Sequence, residues 1–352
     1  MMLIRTILPA LLLAGLASAQ DTSNLVIRTG IKVVVAPAVV TGRHGEYIND
    51  LQSHDFQLTD NGKAQNIKVD VTYIPISLVV AVQANASAEP VLPAVRKMGP
   101  LLQGLVTGEQ GEVAILAFDH RIQTLQDFTT DTGKIEGALA KLHPGSSTSR
   151  LSDAVVEGVR MLKTRPETRR RVLLLISEAR DYGSEARVRE TLTDLQFANV
   201  SVYSVNINHF ANAMRTKAPD PRPDPIPAEA QHMPAGLPPT PDNARQLSGS
   251  GWNSVEFVPV FSEIFRASKS IFVKNPVEVY TKFTGGDERA FINQRDLESA
   301  MSSIGDELHS QYLISYVPSN KEEGGFHEIV VTVDRPDVKV RTRPGYWVAS
   351  QN

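Results

Sequence analysis

The side chains that could do chemistry in this chain are hydroxyls, amides and a few carboxylates, gathered in three short segments. Gln83-Ala84-Asn85-Ala86-Ser87 follows one apolar run and Ser177-Glu178-Ala179-Arg180-Asp181 follows another. Gly145-Ser146-Ser147-Thr148-Ser149 precedes a helical pattern. Oxygen and amide groups at strand ends can grip a ligand, so Gln83, Asn85, Ser87, Thr148, Ser149 and Glu178 form the candidate ligand-binding rim. The usual catalytic arrangements are missing. There is no G-x-S-x-G elbow, no phosphate loop and no glycine fingerprint for a dinucleotide. The eight histidines are scattered without metal-ligand spacing, and there is no cysteine to serve as nucleophile, disulfide or thiolate ligand. A hydrolase built on Ser87 or Ser149 with His143 would need an acid to orient the ring, and none stands near it in sequence. The expected chemistry is binding, not catalysis.

The elements around these segments predict where they sit. Ile76 to Val82 is a nearly continuous apolar run, as in a strand buried on both faces. Val113 to Phe118, Val172 to Ile176 and Val200 to Val205 repeat the signal, and Arg121 to Leu125 alternates like an edge strand. Between them, Val91 to Val106, Leu151 to Leu162 and Glu185 to Gln196 show helical spacing. Strands separated by helices predict an α/β fold with an open, doubly wound, mostly parallel sheet. In such a sheet, ligands bind beyond the carboxyl ends of the strands. Arg169-Arg170-Arg171 precedes a strand and so falls on the opposite rim, where a solvated basic turn is expected.

Two β-rich regions bracket this core. Residues 24–73 contain Phe56-Gln57-Leu58 and Ile67-Lys68-Val69 around an Asp60-Asn61-Gly62 turn signal. Residues 307–348 contain Tyr312 to Tyr316, Glu328 to Val333 and Val338 to Thr342. Neither region can bury a face alone, so the two are expected to pack together into a β-sandwich-like domain. The α/β domain would then span 74–306. Within it, 216–242 is a proline-rich loop insertion, and Asn253 to Val273 carries a wide apolar stripe that reads as a core-packing helix.

Residues 1–19 read as a signal peptide: Arg5, the apolar run Ile7 to Leu16, then Ala17-Ser18-Ala19. The run is too short to span a bilayer, so the mature chain is expected in the periplasm or outside the cell with no membrane span. A net charge of −3 gives no electrostatic reason to expect nucleic acid as a partner.

The chain resembles the von Willebrand factor A (VWA) domain family, and more narrowly the bacterial VWFA-related proteins of acidobacterial type. The resemblance rests on His54-Asp55-Phe56, Asp60-Asn61-Gly62-Lys63, Ile76 to Ser87 and Ser149 to Ala154. It continues through Val172 to Asp181, Phe283-Thr284-Gly285-Gly286, Gln311 to Pro318 and Arg343-Pro344-Gly345-Tyr346. It implies a metal-ion-dependent adhesion site, in which a D-x-S-x-S loop, a threonine and a later aspartate hold Mg²⁺ for a ligand carboxylate. Here Gln83 and Asn85 replace the first aspartate and the first serine, Ser149 or Thr148 takes the threonine position, and Glu178 replaces the aspartate. Ser87, Ser149 and Glu178 are the metal ligands that would remain. One carboxylate is a weak set for an ion that holds its waters tightly. The competing reading is a metal-free, hydrogen-bonded turn, and no cofactor is expected. The implied function is an exported, non-catalytic protein that binds another protein or an envelope component. The alternative is a regulatory or assembly subunit of an envelope enzyme complex.

Overall fold

A computed structural model describes residues 33–70, 74–207, 275–291, 294–320 and 322–348. The signal peptide, Val26-Ile27-Arg28, the proline-rich insertion and the stripe at Asn253 to Val273 lie outside the described residues. The described residues fall in one compact unit.

The central sheet contains β5 (Ile76–Gln83), β6 (Glu112–Phe118), β7 (Ile122–Thr129), β8 (Arg170–Ser177), β9 (Val200–Ile207) and β10 (Glu288–Phe291). Their order is β10-β9-β8-β5-β6-β7. All neighbouring pairs are parallel except β6 with the edge strand β7. This is the open, doubly wound, mostly parallel sheet expected from the sequence. Its central strands are apolar throughout because both faces are covered: every residue of β5 and of β6 is buried. One face packs on α3 (Thr132–Ala140) and α7 (Gln294–Ser310). The other packs on α4 (Leu151–Lys163), α5 (Val188–Phe197) and α6 (Pro276–Thr284). The segment expected as one helix over Val91 to Val106 is broken into α1 (Leu92–Val95), α2 (Gly99–Leu101) and a π-helical turn, Leu102–Thr107. Pro93 and Pro100 each remove a backbone donor, which explains the interruptions.

The two flanks meet. One antiparallel sheet runs β13-β1-β11-β4 and the other β14-β12-β2-β3. Their strands are β1 (Val34–Thr41), β2 (Phe56–Asp60), β3 (Lys63–Ala64), β4 (Ile67–Asp70), β11 (Tyr312–Tyr316), β12 (Gly325–Val333), β13 (Lys339–Thr342) and β14 (Gly345–Val348). Alternating burial along β11 and β12 turns one side of each strand toward a shared core of Phe56, Leu58, Ile314, Ile329 and Val331. Asn61 and Gly62 do form a turn, at φ 49° and 75°. The pairing differs from the sequence reading, however: β2 pairs with the short β3, while β4 crosses to β11 in the other sheet.

A buried polar cluster ties the two flanks. Asp60 and His327 are both fully buried, with Nδ1 of the ring 2.7 Å from the carboxylate. The hydroxyls of Tyr316 and Tyr346 each donate to Asp60 at 2.8 Å, and Asn320 Nδ2 donates to it at 3.0 Å. The second ring nitrogen, Nε2, lies 2.6 Å from the Glu323 carbonyl. Hydrophobic alternation brings the sheets together, and this cluster fixes their register.

The arginine triplet departs most from expectation, because it is not a solvated turn. Arg170 is buried within β8 and donates to the Leu308 carbonyl at 2.6 Å. Arg169 bonds Ser77 and the carbonyls of Ile76 and Gln110. Arg171 bonds the carbonyls of Ala198 and Arg165. The strand begins two residues earlier than the apolar run suggests, which buries Arg170, while Arg169 and Arg171 are partly buried beside it.

Asp60→Ala should lower the unfolding free energy by about 3–5 kcal/mol, because four buried polar groups lose one acceptor. Urea denaturation measures this. A loss below about 1 kcal/mol would mean that the cluster does not join the flanks.

Candidate functional site

The crevice lies at the carboxyl ends of β5, β6 and β8, where three loops converge. Gln83 ends β5 fully buried. Its Nε2 donates to Asn85 Oδ1 at 2.9 Å, and its Oε1 accepts the backbone N–H of Glu178 at 2.9 Å. One side-chain amide therefore joins the end of β5 to the loop after β8. Asn85 Oδ1 also accepts from Ser87 Oγ at 2.8 Å and from the Ala88 N–H at 3.2 Å, so three donors converge on one oxygen. Asn85 thereby caps the short 3₁₀ turn Ala86–Ala88. Its Nδ2 reaches the Ser147 carbonyl at 3.4 Å.

The third loop is held by backbone contacts. Gly145 N donates to the Ala84 carbonyl at 2.6 Å, and Ala86 N to the Ser146 carbonyl at 2.8 Å. Ser149 and Tyr182 exchange backbone hydrogen bonds of 3.1 and 2.8 Å, joining this loop to the one after β8. Thr148 Oγ1 lies 3.0 Å from Ser146 Oγ. Ser149 is fully buried, and its Oγ has no hydrogen-bond partner among the described residues. Glu178 is 3% exposed. The sequence-predicted rim residues thus belong to one cross-linked site.

Two acids nearby have structural work. Asp181, which follows Glu178 in the same loop, accepts from the backbone N–H of Ser152 at 2.9 Å and of Ser184 at 3.3 Å. It therefore binds the first turn of α4. Burial pushes its carboxyl above the usual range, against the opposing pull of those hydrogen bonds. Asp119 was missed by the sequence reading. It directly follows β6 and accepts from Ser146 N at 3.1 Å and Arg121 N at 2.8 Å. The signal was available, since the strand-end rule picked out the residues after β5 and β8 and applies equally to β6. The packing is close enough that a Cβ added to Gly145 would fall 2.0 Å from Asp119 Oδ2.

His120 stands beside Asp119 and Ser146, but the geometry differs from a proton relay. Its Nδ1 lies 3.0 Å from both Asp119 Oδ2 and Ser146 Oγ. A relay places the acid on one ring nitrogen and the nucleophile on the other. His143 faces the Lys141 carbonyl on the exposed surface and is not paired with Ser87 or Ser149.

The donor set does not fit the Mg²⁺ that the fold family implies. Gln83 has both ends of its amide engaged within the protein, and the Asn85 oxygen is already shared by three donors. Ser87 Oγ donates to Asn85. Of the expected ligands, Ser149 and Glu178 could supply only one hydroxyl and one carboxylate for an ion that demands octahedral oxygen ligands. Among the described residues, no group of three or more His, Asp or Glu could hold a metal ion.

Because Asp181 titrates at a higher pH when folded than when unfolded, the folded chain binds more protons between those two values. Its contribution to stability therefore falls as pH rises through this window. Unfolding free energies of wild type and Asp181→Asn, measured from about pH 4 to about pH 7, should show the steeper decline in wild type. Parallel curves would contradict this assignment.

No protein-family model matches the chain, and no curated protein does. Solved structures are similar to it. The vWF domain of the type V pili tip protein Mfa5 from Porphyromonas gingivalis shares 16% identity over 32% of this chain and 40% of that one, with a TM-score of 0.27. An aerotolerance-related membrane protein from Bacteroides fragilis shares 14% over 66% of this chain and 98% of that one, with a TM-score of 0.39. The SpRpn10 VWA domain shares 12% over 41% and 85%, with a TM-score of 0.29. Likenesses at this level say nothing of what the chain binds. The sheet order, the antiparallel edge strand and the crevice at the strand ends are those of a VWA-related fold.

Proposed function

We propose that this chain is an exported, non-catalytic VWA-like module that binds another protein or envelope component through the crevice, without a metal ion. The observation that carries this reading is the Gln83–Asn85 pair. The amides supply their own hydrogen-bond donors at the place where the family's aspartate would need a cation, so the loops close without one. The exposed rim has the composition of a protein contact. Tyr182 is 39% exposed, and its hydroxyl accepts from Arg180 at 3.1 Å. Ser147 is exposed and Thr148 partly so. Tyrosine and arginine are the residue types that most often carry binding energy at interfaces. Among the described residues, no helix is long and apolar enough to cross a membrane.

A photo-crosslinking amino acid placed at Tyr182 in the producing cell tests the reading. It should give one dominant adduct that survives chelation by EDTA, and the same probe placed at Arg160 on α4 should not give it. Loss of the adduct in EDTA would restore the metal-dependent mode, and equal adducts from both positions would remove the crevice as the contact.

A further inference from the structure

A second cleft opens at the other edge of the central sheet, where β8 and β9 begin and the sheet containing β1 and β11 lies across from them. Its volume is about 520 Å³, within the range of small-molecule sites. Val35, Pro37, Val200 and Leu313 give it apolar walls, and Asn199, Ser201 and Ser315 add neutral polar groups.

Its charge is unusual. Arg169, Arg170, Arg171 and Arg343 all line it, against Asp70 and Glu167. Arg169 is accounted for by Glu112, 3.2 Å away, and Asp70 by Lys68 at 3.1 Å. The other three arginines have no carboxylate within ion-pair distance among the described residues. Arg171 donates to the carbonyls of Ala198 and Arg165, and Arg170 to the Leu308 carbonyl with the Tyr203 hydroxyl also beside it. The Nε atoms of Arg170, Arg171 and Arg343, and Nη2 of Arg170, are buried without a hydrogen-bond partner among the described residues. Arg343 is 3% exposed and stands 5.6 Å over the Tyr346 ring. Burial lowers its guanidinium to about 10. Glu307 and Asp60 act on Arg170 and Arg343 only from beyond ion-pair distance, and a buried guanidinium is normally paired more closely. A guanidinium fork matches the oxygens of a carboxylate or a phosphate.

We propose that this cleft binds a small organic anion, whose carboxylate or phosphate is held between Arg171 and Arg343, with Arg170 adding charge beneath. Such a ligand spans the α/β layer and the β-sandwich-like layer, so its binding couples the two. The site is independent of the crevice and of the reading given to it.

The test is thermal denaturation of the full mature chain, titrated with inorganic phosphate and, separately, with succinate, at ionic strength held constant with sodium chloride. The expected result is a saturable rise in Tm with at least one of them. Saturation by phosphate alone identifies a phosphate ligand, and saturation by succinate alone a carboxylate one. Arg171→Gln and Arg343→Gln should each weaken the apparent affinity about tenfold or more, as expected for loss of one charge-assisted contact. Arg171→Lys should recover part of it, and Arg160→Gln on the exposed face of α4 should leave it unchanged. If the glutamine variants do not fold, phenylglyoxal labelling of the wild-type chain replaces them: the saturating anion should slow modification of Arg171. The proposal is overturned if neither anion raises Tm beyond matched chloride, if the variants respond as wild type does, or if the anion gives Arg171 no protection.

Discussion

The crevice depends on one buried primary amide. Gln83 sits at the carboxyl end of the central strand, with no solvent contact and two hydrogen bonds of opposite sense: it donates to Asn85 and accepts from the backbone of Glu178. A carboxylate at this position could only accept, and the Asn85 oxygen opposite would then face it as like against like. A cation or a proton would be needed between them. The amide removes that need. On the proposed metal-free reading, glutamine in place of aspartate at one strand end lets the protein itself, and not an ion, hold the three loops.

The rest of the site follows from that choice. Asn85 can gather three donors because Gln83 is one of them. Ser87 is oriented toward that oxygen, and the loop carrying Ser146 to Ser149 docks on the backbone of Ala84 and Ala86. Asp181 and Asp119 complete the frame from either side, one at the first turn of α4 and the other at the end of β6. Tyr182 and Arg180 stand on the frame at the surface. On the proposed reading, a crevice with exposed aromatic and basic residues suits a partner that contributes surface, with no carboxylate needed to complete a metal shell.

Much of this was legible in the sequence because burial leaves a simple mark. Strands β5, β6, β8 and β9 are apolar runs, and the groups after them project at one edge of the sheet by the geometry of parallel strands. The amide substitutions at Gln83 and Asn85 could be read as loss of ligand charge, though not as a closed hydrogen-bond ring, since that depends on the approach of Glu178 from 95 residues away. Arg169-Arg170-Arg171 misled for a related reason. Charge normally marks solvent, and nothing local shows that distant carbonyls of Leu308, Gln110 and Ala198 accept these guanidiniums inside the protein. The crossing of β4 to the second sheet likewise arises from tertiary pairing that no short window contains.

The central claim is that the crevice needs no metal. Calorimetric titration of the mature chain with Mg²⁺ and Mn²⁺ tests it directly. The account predicts no saturable heat for either ion, in wild type or in Glu178→Ala. Stoichiometric binding that disappears in Glu178→Ala would contradict it.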